Sequence, residues 1–358
     1  MAAQNAAGEE KIAGGAMKVG IFDHLDRGDV PLPQFYEERI ALIEAADALG
    51  IDSYHLAEHH WNPVGMAPQP GIFLGAAAKR TRRIRLGPLA YALAFHDPLL
   101  LAEEICMLDQ LSDGRFELGV GRGISPWELS MFGITMNETR DLFREAMEVM
   151  IQYFTSDAVT HRGTRWRYFE VPVQIKPLQK PFPPLWYGST SGATRDYIAG
   201  LGAAMNAGWA PAARIKQSAE LYRAAWDRNK DAPLRTGRSA DATIGSVRMI
   251  VVAESDNEAE SLAQSAYERW YQSLEHQAHS FGFTALFVSA SYEIARRRVG
   301  SVIAGTPETV RGELQRHIAE SGVNYPLLQL AFGNLTHAQT MRSLKLFVSE
   351  VLPALRAS

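Results

Sequence analysis

Short apolar runs alternate along this chain with longer segments in which apolar residues recur at helical spacing. The apolar runs predict strands, and the intervening segments predict helices. We place strands at residues 18–23, 51–57, 84–90, 116–120, 185–188, 203–207, 244–253 and 325–332. We place helices at residues 34–49, 71–80, 98–111, 137–154, 192–201, 212–229, 256–274 and 337–356, and one more that begins at Thr306 and ends before Gly322.

About eight strand–helix units of this kind indicate an α/β fold with a parallel sheet, and eight units close naturally into a TIM (β/α)8 barrel. A doubly wound open sheet is the alternative. We expect residues 17–358 to form one domain, with insertions near 155–182 and 275–303. The first of these insertions resembles a strand pair and the second a surface excursion. Residues 1–16 are expected to be a flexible extension.

The composition narrows the class of protein. A net charge of -4 argues against nucleic acid as the main partner. The single cysteine, Cys106, excludes a disulfide within the chain and fits a reducing compartment. The sequence contains no apolar run long enough to span a membrane and no signal peptide at its start. We therefore expect a cytoplasmic protein.

A barrel places its active site at the C-terminal ends of its strands, so the residues directly after each strand are the candidates for function. Ser191 and Thr194 lie in a glycine-rich run at a helix start, where backbone N–H groups and hydroxyls can bind an anion. Ordinary N-capping explains one of these hydroxyls without a ligand. Arg122 lies between two glycines after another strand, and its guanidinium suits a phosphate, although a surface arginine in a tight turn would look the same.

The segment after the second strand is rich in imidazole and carboxylate groups. His55 and Glu58-His59 match the H-x-x-E-H zinc motif, but that motif needs a helix and this segment comes after a strand. We therefore predict no metal site and interpret His59, His60 and Glu58 as catalytic groups that handle protons or contact a ligand. A purely structural role for Glu58 and His60 is the alternative.

Several strings resemble the luciferase-like flavin-dependent monooxygenases, in particular the alpha subunit of bacterial luciferase. The resemblance is carried by LAEHHWNPVG (56–65), LDQLSDGRFELGVGRG (108–123), FGITMNETR (132–140), WYGSTSGATRDYIAGLG (186–202), GTPETV (305–310) and SLKLFVSEVLPAL (343–355). It extends over nearly all of the chain from Met17 onward. The strings between residues 56 and 140 are the most specific.

The resemblance implies a TIM barrel that binds FMN, or its reduced form, at the strand ends. Arg122, Ser191 and Thr194 would hold the flavin phosphate. The bond between Leu89 and Ala90 lies where the family has a cis peptide against the flavin ring. Further residues that the resemblance places near the ring are Phe22, Glu58 and Trp209. His59 occupies the position of the catalytic histidine of luciferase.

The resulting hypothesis is a two-component monooxygenase. A separate NAD(P)H:flavin reductase would supply reduced FMN, and the chain would use O2 to oxygenate a small apolar substrate such as an aldehyde or ketone. The resemblance also suggests a homodimer. The alternatives are an F420-dependent dehydrogenase or reductase on the same barrel, a metal-dependent hydrolase, and a non-catalytic flavin-binding subunit. Gly121 replaces a reactive cysteine of luciferase, so the resemblance does not imply light emission.

Overall fold

The computed structural model describes residues 17–188, 194–235, 239–281 and 291–357. The strands in these ranges are β1 Gly20–Asp23, β2 Ser53–Leu56, β3 Arg85–Pro88, β4 Tyr91–Ala92, β5 Leu118–Gly121, β6 Ala158–Arg162, β7 Arg167–Pro172, β8 Leu185–Gly188, β9 Ala204–Asn206, β10 Ile244–Val252, β11 Val302–Gly305 and β12 Tyr325–Gln329. The α-helices are α1 Leu32–Leu49, α2 Pro70–Arg80, α3 Pro98–Leu111, α4 Pro126–Met131, α5 Thr139–Thr155, α6 Arg195–Gly200, α7 Ala212–Arg228, α8 Asp256–Phe281, α9 Pro307–Ser321, α10 His337–Leu346 and α11 Leu352–Ala357.

Ten of these strands form one parallel sheet that closes on itself. The order is β3-β2-β1-β12-β10-β9-β8-β5-β4, and β11 pairs with the C-terminal half of β10. The ring closes where Leu86 of β3 forms a parallel bridge with Phe116, just before β5. Only Leu89 and Ala90 separate β3 from β4, so the two act as one barrel position. The predicted TIM barrel is therefore confirmed, and the open doubly wound sheet is wrong.

The helix boundaries follow local capping chemistry that the sequence already indicated. Gly50 ends α1 with φ 87°, a conformation in which glycine avoids a side-chain clash. Thr306 caps α9 by accepting a hydrogen bond from the Thr309 N–H, and Gly322 ends that helix at φ 71°. These boundaries confirm the predicted start and end of the helix after residue 305.

Three elements differ from the prediction. The short helix α4 was missed because its six residues carry too little periodic pattern to be distinguished from a loop. Helix α8 continues to Phe281, seven residues beyond the predicted end. The predicted surface excursion at 275–303 contains the start of strand β11, which adds to the sheet beside β10. By contrast, the strand pair predicted in the insertion near 155–182 is present as the antiparallel hairpin of β6 and β7.

The barrel interior is a separate apolar cluster from the layer between strands and helices. Its members come from seven barrel positions or the loops after them. They are Phe22, Ala57, Leu89, Trp186, Ala204, Val247, Tyr325 and Leu327, with Ala90 and Trp209 packed against them. This packing makes the barrel a filled core whose upper residues form the floor of any site at the strand ends.

No helix in the described part of the chain has the length and apolar composition that crossing a bilayer requires. The cytoplasmic location stays a prediction. The expected flexible extension, residues 1–16, lies outside the described residues, and the single-domain organisation of 17–358 also stays a prediction.

Candidate active site at the C-terminal end of the barrel

His59 lies in the loop after β2 and forms an ion pair with Glu128 of α4. Its Nδ1 is 3.2 Å from Oε1 of Glu128, and the same oxygen accepts a hydrogen bond from the His60 backbone N–H at 3.0 Å. Burial alone would lower the pKa of His59, but the hydrogen bond and charge of Glu128 outweigh burial and raise it. His59 can therefore carry a proton near neutral pH, as an acid–base group requires.

Glu58 is the centre of a second hydrogen-bonded group. Its Oε1 lies 3.0 Å from His60 Nε2 and 2.8 Å from His96 Nε2, and its Oε2 accepts the Ala92 N–H at 2.6 Å. Burial favours a higher pKa for Glu58, yet the charge of His96 and these hydrogen bonds lower it. The carboxylate thus stays ionised and fixes both imidazoles.

The contact with Glu58 also shifts the pKa of His96. Burial tends to lower the pKa of His96, but the nearby Glu58 carboxylate, through charge and hydrogen bonding, raises it. Glu58 therefore links the loop after β2 to the turn after β4 through an imidazole on each side.

Four of the five residues predicted to lie near a flavin ring, all except Glu58, belong to or pack against one apolar cluster, and we call these four the apolar wall. Phe22, Leu89, Ala90 and Trp209 all belong to the cluster that fills the barrel interior or packs against it. The Phe22 and Trp209 rings meet edge to face with centroids 5.3 Å apart. The peptide bond between Leu89 and Ala90 is cis, as the resemblance implied.

Arg122 and Thr194, two of the three predicted phosphate residues, come after two neighbouring strands. Arg122 comes directly after β5, which pairs in parallel with β8, and Thr194 comes after β8 in the sequence. Arg122 makes no hydrogen bond or ion pair with the residues that the structure describes. Thr194 is fully buried and donates its hydroxyl to the Tyr187 hydroxyl at 3.2 Å, whereas Ser191 lies outside the described residues.

The imidazoles of the H-x-x-E-H string face different partners. His55 lies on strand β2 inside the barrel, where its Nε2 is 2.9 Å from Oε2 of Glu117, while His59 pairs with Glu128. The predicted strand and loop at this string are confirmed. Within the described ranges, no three His, Cys, Asp or Glu side chains are grouped in a way that could hold a metal ion.

Comparison with known proteins agrees with this geometry. The luciferase-like monooxygenase family matches residues 17–325. The chain belongs to this family. An uncharacterized protein of Sinorhizobium fredii, y4wF, is 37% identical over 91% of this chain and 93% of its own length. The crystal structure of monooxygenase RslO1 from Streptomyces bottropensis superposes with a TM-score of 0.84 at 28% identity, covering 94% of this chain and 99% of that one.

A second solved structure is less similar in sequence and is compared with this chain for its fold alone. It is the oxygenating constituent of 3,6-diketocamphane monooxygenase from Pseudomonas putida, a type II Baeyer-Villiger monooxygenase in complex with FMN. It is 22% identical to this luciferase-like monooxygenase, with a TM-score of 0.76 over 94% of this chain and 98% of that one.

Sequence reasoning missed four polar or aromatic members of the site in this luciferase-like monooxygenase. Glu128 lies on the unpredicted helix α4, and Trp270 lies on α8, 246 residues from its partner His24. His24 and His96 offered a weak signal, since each comes after a strand at the catalytic end of the barrel. Their partners could not be assigned because they come from distant parts of the chain.

Proposed function

We propose that this chain is the oxygenase component of a two-component monooxygenase that uses reduced FMN and O2 to oxygenate a small apolar substrate such as an aldehyde or ketone. A separate NAD(P)H:flavin reductase would supply the reduced FMN. The observation that carries the proposal is the apolar wall of Phe22, Leu89, Ala90 and Trp209. The ring of His24 connects this wall to the His59–Glu128 pair, with its centroid 5.3 Å from that of Trp209 and 5.6 Å from that of His59.

The polar groups beside this wall suit a flavin. The indole Nε1 of Trp209 is enclosed and has no hydrogen-bond partner among the described residues, so a bound group with an acceptor atom would satisfy it. A side chain added at Gly188 or Gly208 would meet no described atom within 4 Å, which leaves room near the ends of β8 and β9. The guanidinium of Arg122, which has no partner in the described ranges, suits the FMN phosphate because it can donate two parallel hydrogen bonds.

When bound, reduced FMN would supply the electrons that allow O2 to react with the substrate. The protein's part is to orient the reactants, exclude water and manage protons. His59, held by Glu128, is the proposed proton carrier, and His60 and Glu58 shape its surroundings. Arg122, Ser191 and Thr194 are the proposed phosphate residues, with Phe22, Glu58, Leu89, Ala90 and Trp209 around the ring.

Titration of the purified chain with FMN, reduced FMN and F420 tests the cofactor assignment. We expect binding of FMN or reduced FMN and, with a reductase and substrate, consumption of oxygen. Hydride transfer with F420 and no oxygen uptake would favour the F420-dependent alternative. Stoichiometric zinc after purification would favour the hydrolase, and lack of turnover by the flavin-loaded chain with every substrate class would favour the non-catalytic subunit.

We also propose a homodimer formed through the outer faces of α2 and α3. Ile72 of α2 is 78% exposed and Leu100 of α3 is 68% exposed. Met107 and Leu111 come after Leu100 at intervals that keep them on one helical face, and both are exposed. An apolar stripe of this kind on two packed helices favours burial against a second copy.

A further inference from the structure

The imidazole of His24 is a buried polar group at the candidate active site for which the proposed chemistry has so far given no role. His24 comes directly after β1 and is only 3% exposed. Its ring stacks on Trp209 with centroids 5.3 Å apart and an interplanar angle of 13°, and it meets the edge of Phe22 at 4.9 Å. The His59 ring is 5.6 Å away. His24 therefore lies between the apolar wall and the proposed proton carrier.

The hydrogen bonds at Nδ1 of His24 fix its tautomer. Trp270 Nε1 donates to this nitrogen at 3.2 Å, and an indole nitrogen is a donor only. Nδ1 must therefore be unprotonated. The Gln329 amide nitrogen also lies 3.3 Å from Nδ1, which is consistent with a second donor at the same acceptor. A neutral imidazole with a bare Nδ1 carries its proton on Nε2.

The other nitrogen has no such partner. Nε2 of His24 makes no hydrogen bond to any residue within the ranges that the structure describes. Nε2 is not one of the enclosed polar atoms, so it is open to solvent and within reach of a bound molecule, which can accept its hydrogen bond in place of water. The donor is also held rigidly, because Trp270 fixes one end of the ring and Trp209 covers one face.

We propose that His24 is a specificity-determining donor whose Nε2–H binds an acceptor oxygen of the organic substrate and thereby selects carbonyl compounds over hydrocarbons of the same shape. This inference rests on the proposed function. A site built to donate to an oxygen discriminates against the analogue that lacks it, because the donor is then left unpaired.

The position of His24 favours the substrate as the source of the oxygen. His24 is neighbour to His59, and a proton carrier acts where the substrate reacts. His24 also contacts Phe22 and Trp209 of the apolar wall, so the flavin is the competing acceptor that the experiment below must distinguish.

The electrostatics of the two imidazoles support a division of roles. Burial, with a smaller contribution from the charge of His59, lowers the pKa of His24 well below its usual value. His24 thus stays a neutral donor while the pKa of His59 is raised by Glu128. An imidazole kept neutral can polarise a carbonyl without exchanging a proton with its neighbour.

Nitrogen NMR of histidine-labelled protein tests the fixed tautomer without any ligand. We expect the His24 signals to report a proton on Nε2. In Trp270→Phe the donor is lost, and the Gln329 oxygen, which has no partner among the described residues, can turn to accept from Nδ1–H, so the Nδ1–H form should appear. Trp226→Phe, which removes a distant indole hydrogen bond to Ala240, should leave the signals unchanged. A protonated Nδ1 in the unaltered protein would overturn the proposal.

Binding of cyclohexanone and methylenecyclohexane, which differ by one oxygen, tests the selection. The unaltered chain should bind the ketone about threefold to tenfold more tightly, the range of one hydrogen bond, with a change in the His24 Nε2–H signal. His24→Leu should lose this preference, Trp270→Phe should reduce it, and His24→Gln, which keeps an N–H donor, should retain part of it.

Equal affinity of the unaltered chain for the two compounds would overturn the inference. So would a change in the Nε2–H signal on addition of FMN and not of cyclohexanone, since the acceptor would then belong to the flavin. Failure of both FMN and reduced FMN to bind would instead overturn the proposed function, and the comparison of the two compounds would still be readable because it needs no flavin.

Discussion

His59 Nδ1 and Glu128 Oε1 lie 3.2 Å apart although 69 residues separate them in the sequence. The contact joins the loop after β2 to helix α4 after β5. The same carboxylate oxygen accepts the His60 N–H, so Glu128 fixes both the backbone and the side chain at the proposed proton carrier. The proton affinity of His59 therefore depends on a residue that no local motif includes.

Glu128→Gln should lower the pKa of His59. The substitution removes the negative charge that stabilises the imidazolium and leaves burial, which favours the neutral ring. The protonated fraction of His59 near neutral pH should fall. Any activity that needs His59 as an acid should therefore begin to decline at a lower pH than in the unaltered chain. NMR titration of the His59 signals measures the shift directly.

Glu145→Gln is the matched control for this experiment. Glu145 also contacts an imidazole, with Oε1 3.3 Å from His161 Nε2, but on the hairpin side of the chain and not at the strand ends. It should leave the titration of His59 unchanged. An unaltered His59 titration in Glu128→Gln would show that the carboxylate does not set the proton affinity.

Glu117→Gln should destabilise the fold, because Glu117 is a buried carboxylate with several donors. Its oxygens contact His55 at 2.9 Å, Arg85 at 2.6 Å and the Trp186 indole at 2.7 Å. Removing one partner of a buried charged group costs about 3–5 kcal/mol of unfolding free energy. Urea unfolding at pH 7 measures the loss, and Glu293→Gln, in an exposed pair with Arg297, should change little.

The ionisation of Glu117 should also make the stability of the fold depend on pH. Burial would raise the pKa of Glu117, but His55 and Arg85 outweigh it and lower the pKa from 4.5 to about 2. A carboxylate whose pKa is lower in the folded chain stabilises the fold at pH values above 4.5, and this stability is lost as the pH falls toward 2. The difference in unfolding free energy between the unaltered chain and Glu117→Gln should therefore narrow from pH 7 to pH 3. A difference that stays constant over this range would contradict the assignment.

The fold was largely predictable because each barrel strand is a buried apolar run that leads into a helix with clear caps. Gly50, Thr306 and Gly322 mark helix ends by local chemistry alone. Helix α4 and strand β11 were not predictable, since one is a single short segment and the other takes its identity from pairing with β10.

The site was predictable where residues come directly after a strand and not where they meet across the barrel. Glu58, His59 and Arg122 could be singled out from their places after β2 and β5. Their partners could not, because the bond from Glu58 to His96 depends on how far each loop extends over the barrel. The roles of the predicted flavin residues stay predictions.

Arg122→Ala should weaken FMN binding by about 1.5–3 kcal/mol, the range for hydrogen bonds to a charged group, which is roughly tenfold to a hundredfold in Kd. The guanidinium has no partner among the described residues, so the loss should not disturb the fold. Calorimetric titration with FMN gives the affinity. Arg228→Ala, which removes an exposed arginine paired with Asp196, is the control. Equal FMN affinity in both variants would remove Arg122 from the phosphate site.

His59→Ala should reduce turnover and leave FMN affinity nearly unchanged, since the proposed role of His59 is to move protons and not to hold the cofactor. Single-turnover measurements with reduced FMN separate the two quantities. His161→Ala removes the comparable imidazole beside Glu145 and should leave turnover intact. A normal rate in His59→Ala would exclude the residue from the chemistry.

The proposed dimer interface predicts that Leu100→Asp shifts the chain toward monomers. Leu100 is 68% exposed in the isolated chain, and its stripe continues through Met107 on α3 beside Ile72 on α2. A charge buried in an apolar interface is costly, and loss of a central contact typically weakens association by about 2 kcal/mol or more, roughly thirtyfold. Sedimentation over a concentration series measures the dissociation constant of the dimer.

Phe169→Asp is the control for this experiment. Phe169 lies on the hairpin strand β7 and is 70% exposed, so its substitution should leave the dimer unchanged. A dimer that weakens with Phe169→Asp and not with Leu100→Asp would place the interface on the hairpin instead.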